Sequence, residues 1–288
     1  MPNLPSHSPL GVLLVGHGTR DRSGTEEFFL LGQRLSTVLS GQAVVAPCLL
    51  EFQEPTITQA WATLVSHQCS RVVVAPLLLF AAGHAKSDIP DEVAAAKQAT
   101  PGSESVDVSF CPPISRQALM IDAVRQRLIE ALETLPNDRV GLAMEGNQRT
   151  AIVMVGRGSR DVCASADMRV LSEIAVMGRP DEQPSLADQY GIARDGLHTT
   201  FYAMAEPRLP DTLDRVAASG RFDRIVVHPH LLFSGRLYEA IEKQVQDAAK
   251  NHPHVQFGTS AYLGPTDLVA RAVAARIVEA CSPPVMSV

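Results

Sequence analysis

LLVGHGTRD, residues 13–21, sets a histidine between two glycines at the end of a short apolar run. IVMVGRGSRD, residues 152–161, repeats it with Arg157 in place of His17. A β-rich apolar run that ends in a glycine-flanked polar residue and leads into a helical segment reads as the opening of a β-α unit. Two further stretches recur in the same order: EPTITQAW (54–61) with EPRLPDTL (206–213), and RVVVAPLLLFAAGH (71–84) with RIVVHPHLLFSGR (224–236). Three ordered matches make the chain an internal duplication. The offset is 140 residues from His17 to Arg157, but 152 from Glu54 to Glu206 and from His84 to Arg236. The second half therefore carries about twelve extra residues between its first two strands. The polar, turn-rich GRPDEQPSLADQYGIARDG (178–196) is where they sit, as a surface loop or lid.

Outward from the repeat, apolar runs alternate with longer segments of helical spacing, the pattern of an α/β fold with parallel sheets. Strands are predicted near 11–16, 43–50, 70–79 and 105–110, and helices near 24–40, 55–68, 86–99 and 115–134. The second set of strands is predicted near 151–156, 198–204, 222–232 and 254–260. Pro55 and Pro90 suit the opening turns of helices. LPNDRVGLAMEGNQRT (135–150) reads as a linker, which divides the chain into domains at 1–136 and 150–288 with 137–149 between them.

Composition narrows the function. The chain has 288 residues, of which 45% are apolar, enough for two buried cores. A net charge of -6 without runs of Lys or Arg gives no footprint for nucleic acid. The first ten residues lack a signal-peptide pattern and no apolar segment is long enough to span a bilayer, so a soluble, cytoplasmic protein is expected. Five scattered cysteines without a CxxC pair argue against a disulfide framework or a zinc or iron-sulfur site.

In an open parallel sheet, ligands bind beyond the carboxyl ends of the strands. His17, Glu51 and His84 each follow a predicted strand there, and each would project into one cleft. Two histidines and a carboxylate suit a divalent metal such as Fe2+ or Co2+, and equally suit proton abstraction near neutral pH. Taken singly, His17 could instead cap a helix and His84 could be an ordinary loop histidine. The duplication bears on this choice, because the second half has Arg157, Ala203 and Arg236 at the three matching positions. One working site and one supporting half fit that coordinated loss. Arg157 and Arg236 could pair with the carboxylates of an anionic substrate, or be surface residues in tertiary ion pairs. His228 and His230 face one side of a predicted strand, where packing is favoured over metal binding. Met144, Met154, Met168, Met177 and Met204 read as core filler.

GHGTRD (16–21), LLEFQEPTI (49–57) and VAPLLLFAAGHAKSDIPDEV (74–93) resemble the sirohydrochlorin chelatases, ATP-independent enzymes that insert Fe2+ or Co2+ into a tetrapyrrole. The second half is similar to the degenerate partner domain of two-domain members. The resemblance implies two chelatase-like, flavodoxin-like halves around a central cleft. His17 and His84 would then be the metal-binding and proton-accepting histidines, and Glu51 the carboxylate of the cleft. Leu79, Phe80, Ala81, Ala82 and Gly83 would lie along the macrocycle. Arg20, Arg22 and Lys86 are further candidate contacts for its carboxylates. No cofactor beyond the substrate metal is implied, and a monomer would suffice.

Two other classes share part of this pattern. An RHG-type phosphohydrolase also places a histidine and glycine after the first strand, but Gly16 stands where that class has arginine. A non-catalytic tetrapyrrole or metal carrier would use the same groups as the chelatase and stays open at the level of sequence.

Overall fold

The computed structural model describes residues 9–80, 87–135, 149–179 and 184–282. In its first half, β1 (Leu10–Gly16), α1 (Arg22–Val38), β2 (Ala43–Leu49), α2 (Ile57–Ser66), β3 (Arg71–Pro76), α3 (Asp88–Ala99), β4 (Asp107–Phe110) and α4 (Ala118–Thr134) follow one another. The second half contributes β5 (Thr150–Gly156), α5 (Val162–Met177), α6 (Leu186–Tyr190), β6 (Leu197–Phe201), α7 (Leu209–Ala218), β7 (Arg224–Pro229), α8 (Arg236–Asn251), β8 (Gln256–Thr259) and α9 (Asp267–Cys281). Each half forms a four-stranded parallel sheet, ordered β2-β1-β3-β4 and β6-β5-β7-β8. The two α/β halves are those expected from the repeat.

Both faces of each sheet are covered, which is why the strands read as continuous apolar runs rather than alternating ones. In β1, Leu13 and Val15 join Ile57, Trp61 and Leu64 of α2 and Ile89 and Val93 of α3 in one buried cluster. Val12 and Leu14 point the other way and are equally buried, as are Phe28, Leu31 and Leu35 of α1. The second sheet repeats the scheme with Val153 and Val155 against Leu209, Leu213 and Ile241.

Sequential strands fall on opposite sides of β1, since β2 pairs with it through Leu10↔Ala43 and β3 through Leu10↔Arg71. The order therefore reverses at β1, and residues leaving its carboxyl end occupy the switch point where open α/β sheets bind ligands.

The compact units cross the repeat boundary. One comprises Met1–Met120 with Pro265–Val288, the other Ile121–Gly264. The last helix of each repeat is thus exchanged, and the expected division at 136–150 describes the repeat rather than the packing. In the first unit, Arg34 pairs with Asp267 of α9 at 2.5 Å, and Arg276 donates to Pro113 O at 3.1 Å. Arg71 donates to the Ala280 and Cys281 carbonyls at the end of α9, where a cation meets the negative end of the helix dipole. In the second unit, Arg125 of α4 closes α5 in the same manner by donating to Ile174 O and Ala175 O.

Several boundaries differ from the sequence reading. Thr56 caps α2 through a reciprocal capping box with Gln59, so Pro55 precedes the helix instead of opening it. Strand β3 stops at Pro76, since Leu78 and Leu79 turn away to accept from Ile114 N and Ser115 N. The insertion at 178–196 is not an irregular loop along its described part. It contains α6, capped by Ser185 and Asp188, with Leu186, Ala187 and Ile192 buried. Met154 and Met168 are core residues as expected, but Met204 is exposed. Among the described residues no helix is long and apolar enough to cross a membrane.

The exchange makes a direct prediction. Residues 1–136 produced alone lack α9 and expose the α1 face of their sheet, so they should show no cooperative unfolding by circular dichroism. Residues 9–120 joined through a glycine-serine linker to 265–282 should fold. A cooperative transition in the 1–136 fragment would show that the repeat, not the exchanged unit, is the folding unit.

Candidate functional site

The loop after β1 is fixed residue by residue. Gly16 has no room for a side chain, since a Cβ there would come within 2.7 Å of the Phe28 ring. Gly18 has φ +92, and a Cβ on it would lie 2.1 Å from Glu51 O. Only glycine permits that conformation together with that approach. The Thr19 hydroxyl accepts from Asp21 N at 3.1 Å. Asp21 is the N-cap of α1, accepting from Ser23 N at 2.9 Å and Gly24 N at 3.4 Å. Capping thus belongs to Asp21 and not to His17, which is half-buried.

The loop after β2 runs alongside. The strand pairing continues past the sheet: Leu50 N donates to Gly16 O at 2.9 Å, and Glu51 N donates to His17 O at 3.0 Å. That second bond joins two of the three residues singled out from the sequence. Glu51 itself is exposed, and among the described residues no ion pair engages its carboxylate. Gln53 ties the loops together by donating from Nε2 to Thr19 O at 2.8 Å. Beside them, Leu77 N donates to Val15 O at 2.8 Å, which starts the run toward half-buried Leu79 and Phe80 at the end of β1. His84, with Ala81, Ala82 and Gly83, lies outside the described residues, as does Lys86. Arg22 is engaged in an ion pair with Glu26 at 2.7 Å.

The second unit reproduces this frame without its polar groups. Tyr202 N donates to Gly156 O and Ala203 N to Arg157 O, each at 2.9 Å. Gly158 has φ +88, and a Cβ on it would lie 1.7 Å from Ala203 O. Both Glu54–Pro55 and Glu206–Pro207 are cis. The correspondence of His17 with Arg157 and of Glu51 with Ala203 therefore holds in three dimensions. Arg157 is exposed at the end of β5, and Arg236 is exposed as the first residue of α8.

Among the described residues, no group of three or more His, Cys, Asp or Glu side chains could hold a metal ion. His228 and His230 do lie on one side of β7, with ring centroids 6.0 Å apart, but they are fully buried. The Ser260 hydroxyl donates to Ala261 O, so its oxygen accepts from His228 Nδ1–H at 2.7 Å. Burial, the neighbouring His230 and the nearby Arg127 hold the His228 imidazole well below its usual range, and burial pushes His230 down to about 4. The nearby Arg127 charge disfavours a cation in that place. These imidazoles are neutral packing groups.

The sign of their effect on stability follows from linkage. The unfolded chain binds protons at these imidazoles below about pH 6.5, whereas the folded chain does not until about pH 4 for His230. Stability is therefore full above pH 7 and falls as pH drops through that window, by about 3 kcal/mol for His230 alone. Urea unfolding between pH 7.5 and 4.5 should show this slope, and His230→Leu, which installs the residue found at Leu77, should flatten it. An unchanged slope in His230→Leu would assign the acid sensitivity elsewhere.

Known proteins share this architecture. A model of the CbiX family matches residues 11–131 and 151–280. The sirohydrochlorin cobaltochelatase of Priestia megaterium is 27% identical over 258 residues, covering 90% of this chain and 76% of the relative. The sirohydrochlorin ferrochelatase of the same organism is 27% identical over 259 residues, covering 90% and 86%. Among solved structures, SirB from Bacillus subtilis with Fe3+ has a TM-score of 0.75 at 25% identity, covering 95% of this chain and 96% of that one.

Proposed function

The chain belongs to the CbiX family, the sirohydrochlorin chelatases, and on that premise we propose that it inserts Fe2+ or Co2+ into sirohydrochlorin, in siroheme or cobalamin biosynthesis. The observation that carries the residue assignment is the Glu51 N to His17 O hydrogen bond, together with its counterpart between Ala203 and Arg157. One frame holds an imidazole and a carboxylate, and the same frame in the other half holds neither.

The chemistry asks for what these residues supply. The divalent cation enters as two pyrrole N–H protons leave, so charge balances without a change of oxidation state and without a nucleotide. A neutral imidazole at residue 17 can donate a lone pair to the incoming metal or accept a pyrrole proton. Glu51, exposed and without an ion-pair partner among the described residues, takes up the second proton or orients the cation. His84 is assigned the role of second imidazole by its match to the family motif. The family match assigns Leu79 to Gly83 to macrocycle binding, and Arg157 and Arg236 are exposed cations of a kind suited to carboxylates. Nitrogen and oxygen donors of this kind accept iron and cobalt alike.

Anaerobic incubation with metal-free sirohydrochlorin and Fe2+ or Co2+, followed by absorption spectroscopy, tests the reading. Wild type should exceed the uncatalysed rate. His17→Ala and Glu51→Gln should each lower the rate by roughly 100-fold, the range for loss of a proton-transfer group. Binding of sirohydrochlorin without acceleration would make the protein a carrier. Wild-type rates in both variants would remove His17 and Glu51 from the site.

A further inference from the structure

Beside Glu51, Phe52 is an exposed aromatic side chain held in an unfavourable backbone conformation. Its φ is +69, and it is 56% exposed. An aromatic residue at positive φ is strained, and strain of this kind persists where the surroundings impose it and is concentrated at functional sites. The Arg20 guanidinium lies over the Phe52 ring, 5.1 Å from its centroid. Among the described residues Arg20 has no ion-pair partner, so an exposed cation lies over a ring that directly follows the exposed Glu51 in sequence.

The second unit isolates what this arrangement adds. Met204 stands at the position of Phe52, with φ +60 and 46% exposure, so the strained turn is common to both halves. Arg160 stands at the position of Arg20, yet no aromatic ring lies under it among the described residues. Ala205 replaces Gln53, whose side chain donates to Thr19 O and binds the Arg20 loop to the Phe52 loop. The ring and the clamp are therefore present in the half that carries His17 and Glu51, and both are absent from the half that lacks them.

We infer that Arg20, held by Phe52, is a receptor for a carboxylate of the substrate. A guanidinium over an aromatic ring is attracted to the ring face, while its N–H donors, which match a carboxylate in bidentate fashion, remain available to a ligand. Contact with the ring also limits the rotamer freedom that a long side chain loses on binding. Arg20 is then a binding residue and Phe52 a positioning residue that acts through it. The strain at residue 52 keeps the ring in the exposed place that the guanidinium needs. The inference rests on the chelatase reading for the identity of the ligand, a tetrapyrrole bearing carboxylates.

Binding of metal-free sirohydrochlorin, followed by fluorescence at several salt concentrations, tests this separately from catalysis. Arg20→Ala should weaken binding about tenfold, as expected for one exposed charge-assisted pair, and should make binding less salt-dependent than in wild type. Phe52→Ala should weaken binding several-fold, and Phe52→Tyr should restore it. In steady-state insertion assays, the same variants should raise KM by similar factors and change kcat less than about twofold. Phe52→Gly separates this role from a structural one. Glycine relieves the positive φ, so its unfolding midpoint should match or exceed wild type while its affinity falls with that of Phe52→Ala. Wild-type affinity in Arg20→Ala or in Phe52→Gly overturns the inference. A wild-type protein that binds sirohydrochlorin but does not accelerate insertion overturns the chelatase reading and leaves the Arg20 result standing.

Discussion

The close passage of residue 18 beneath the carbonyl of Glu51 constrains everything at this end of the first sheet. A Cβ at that position would occupy the space of the carbonyl oxygen, so the loops after β1 and β2 meet only because the residue is glycine. Once they meet, Glu51 N reaches His17 O, Gln53 reaches Thr19 O, and Arg20 comes to lie over Phe52. Asp21 then starts α1 within the same few residues. A short loop thus converts strand order into chemistry, as the reversal at β1 fixes where the chain leaves the sheet and the glycine fixes what it meets.

The second unit shows how much of this geometry is independent of the groups it presents. The same hydrogen bonds, the same positive φ and the same close approach surround Arg157 and Ala203. The frame is a backbone property, and the side chains at residues 17, 51, 52 and 53 can be exchanged without disturbing it. Divergence has also gone in the opposite direction. His228 in β7 and His230 just after it are buried where the first half has Ala75 and Leu77, so the half without His17 and Glu51 carries imidazoles that burial keeps neutral.

Much of this was legible in the residues. Continuous apolar runs such as LLVG and RVVVAP marked strands buried on both faces, and the altered repeat singled out His17 and Glu51. What escaped depends on tertiary context. The patterns of α4 and α9 show that each must cover a sheet, but amphipathic spacing does not say which sheet. The insertion looked like a loop because of its Gly, Pro and Asp content, although Ser185 and Asp188 are a readable capping pair before Leu186. Pro55 suggested the first turn of a helix, whereas Thr56 and Gln59 supplied the stronger start signal one residue later. The position of Arg20 over Phe52 depends on a left-handed backbone conformation that nothing in the letters EFQ announces.

The exchanged helices also set an order of events during synthesis. The first sheet, with the histidine loop at the carboxyl end of β1, is translated early, but the helix that covers its α1 face spans Asp267–Cys281. The second unit needs nothing beyond Gly264, so it has all its parts while the first is still waiting. On the ribosome, the half that carries His17 and Glu51 is therefore the last to close, and its apolar face stays open for most of translation. The copy that has lost these groups is the one that can form first.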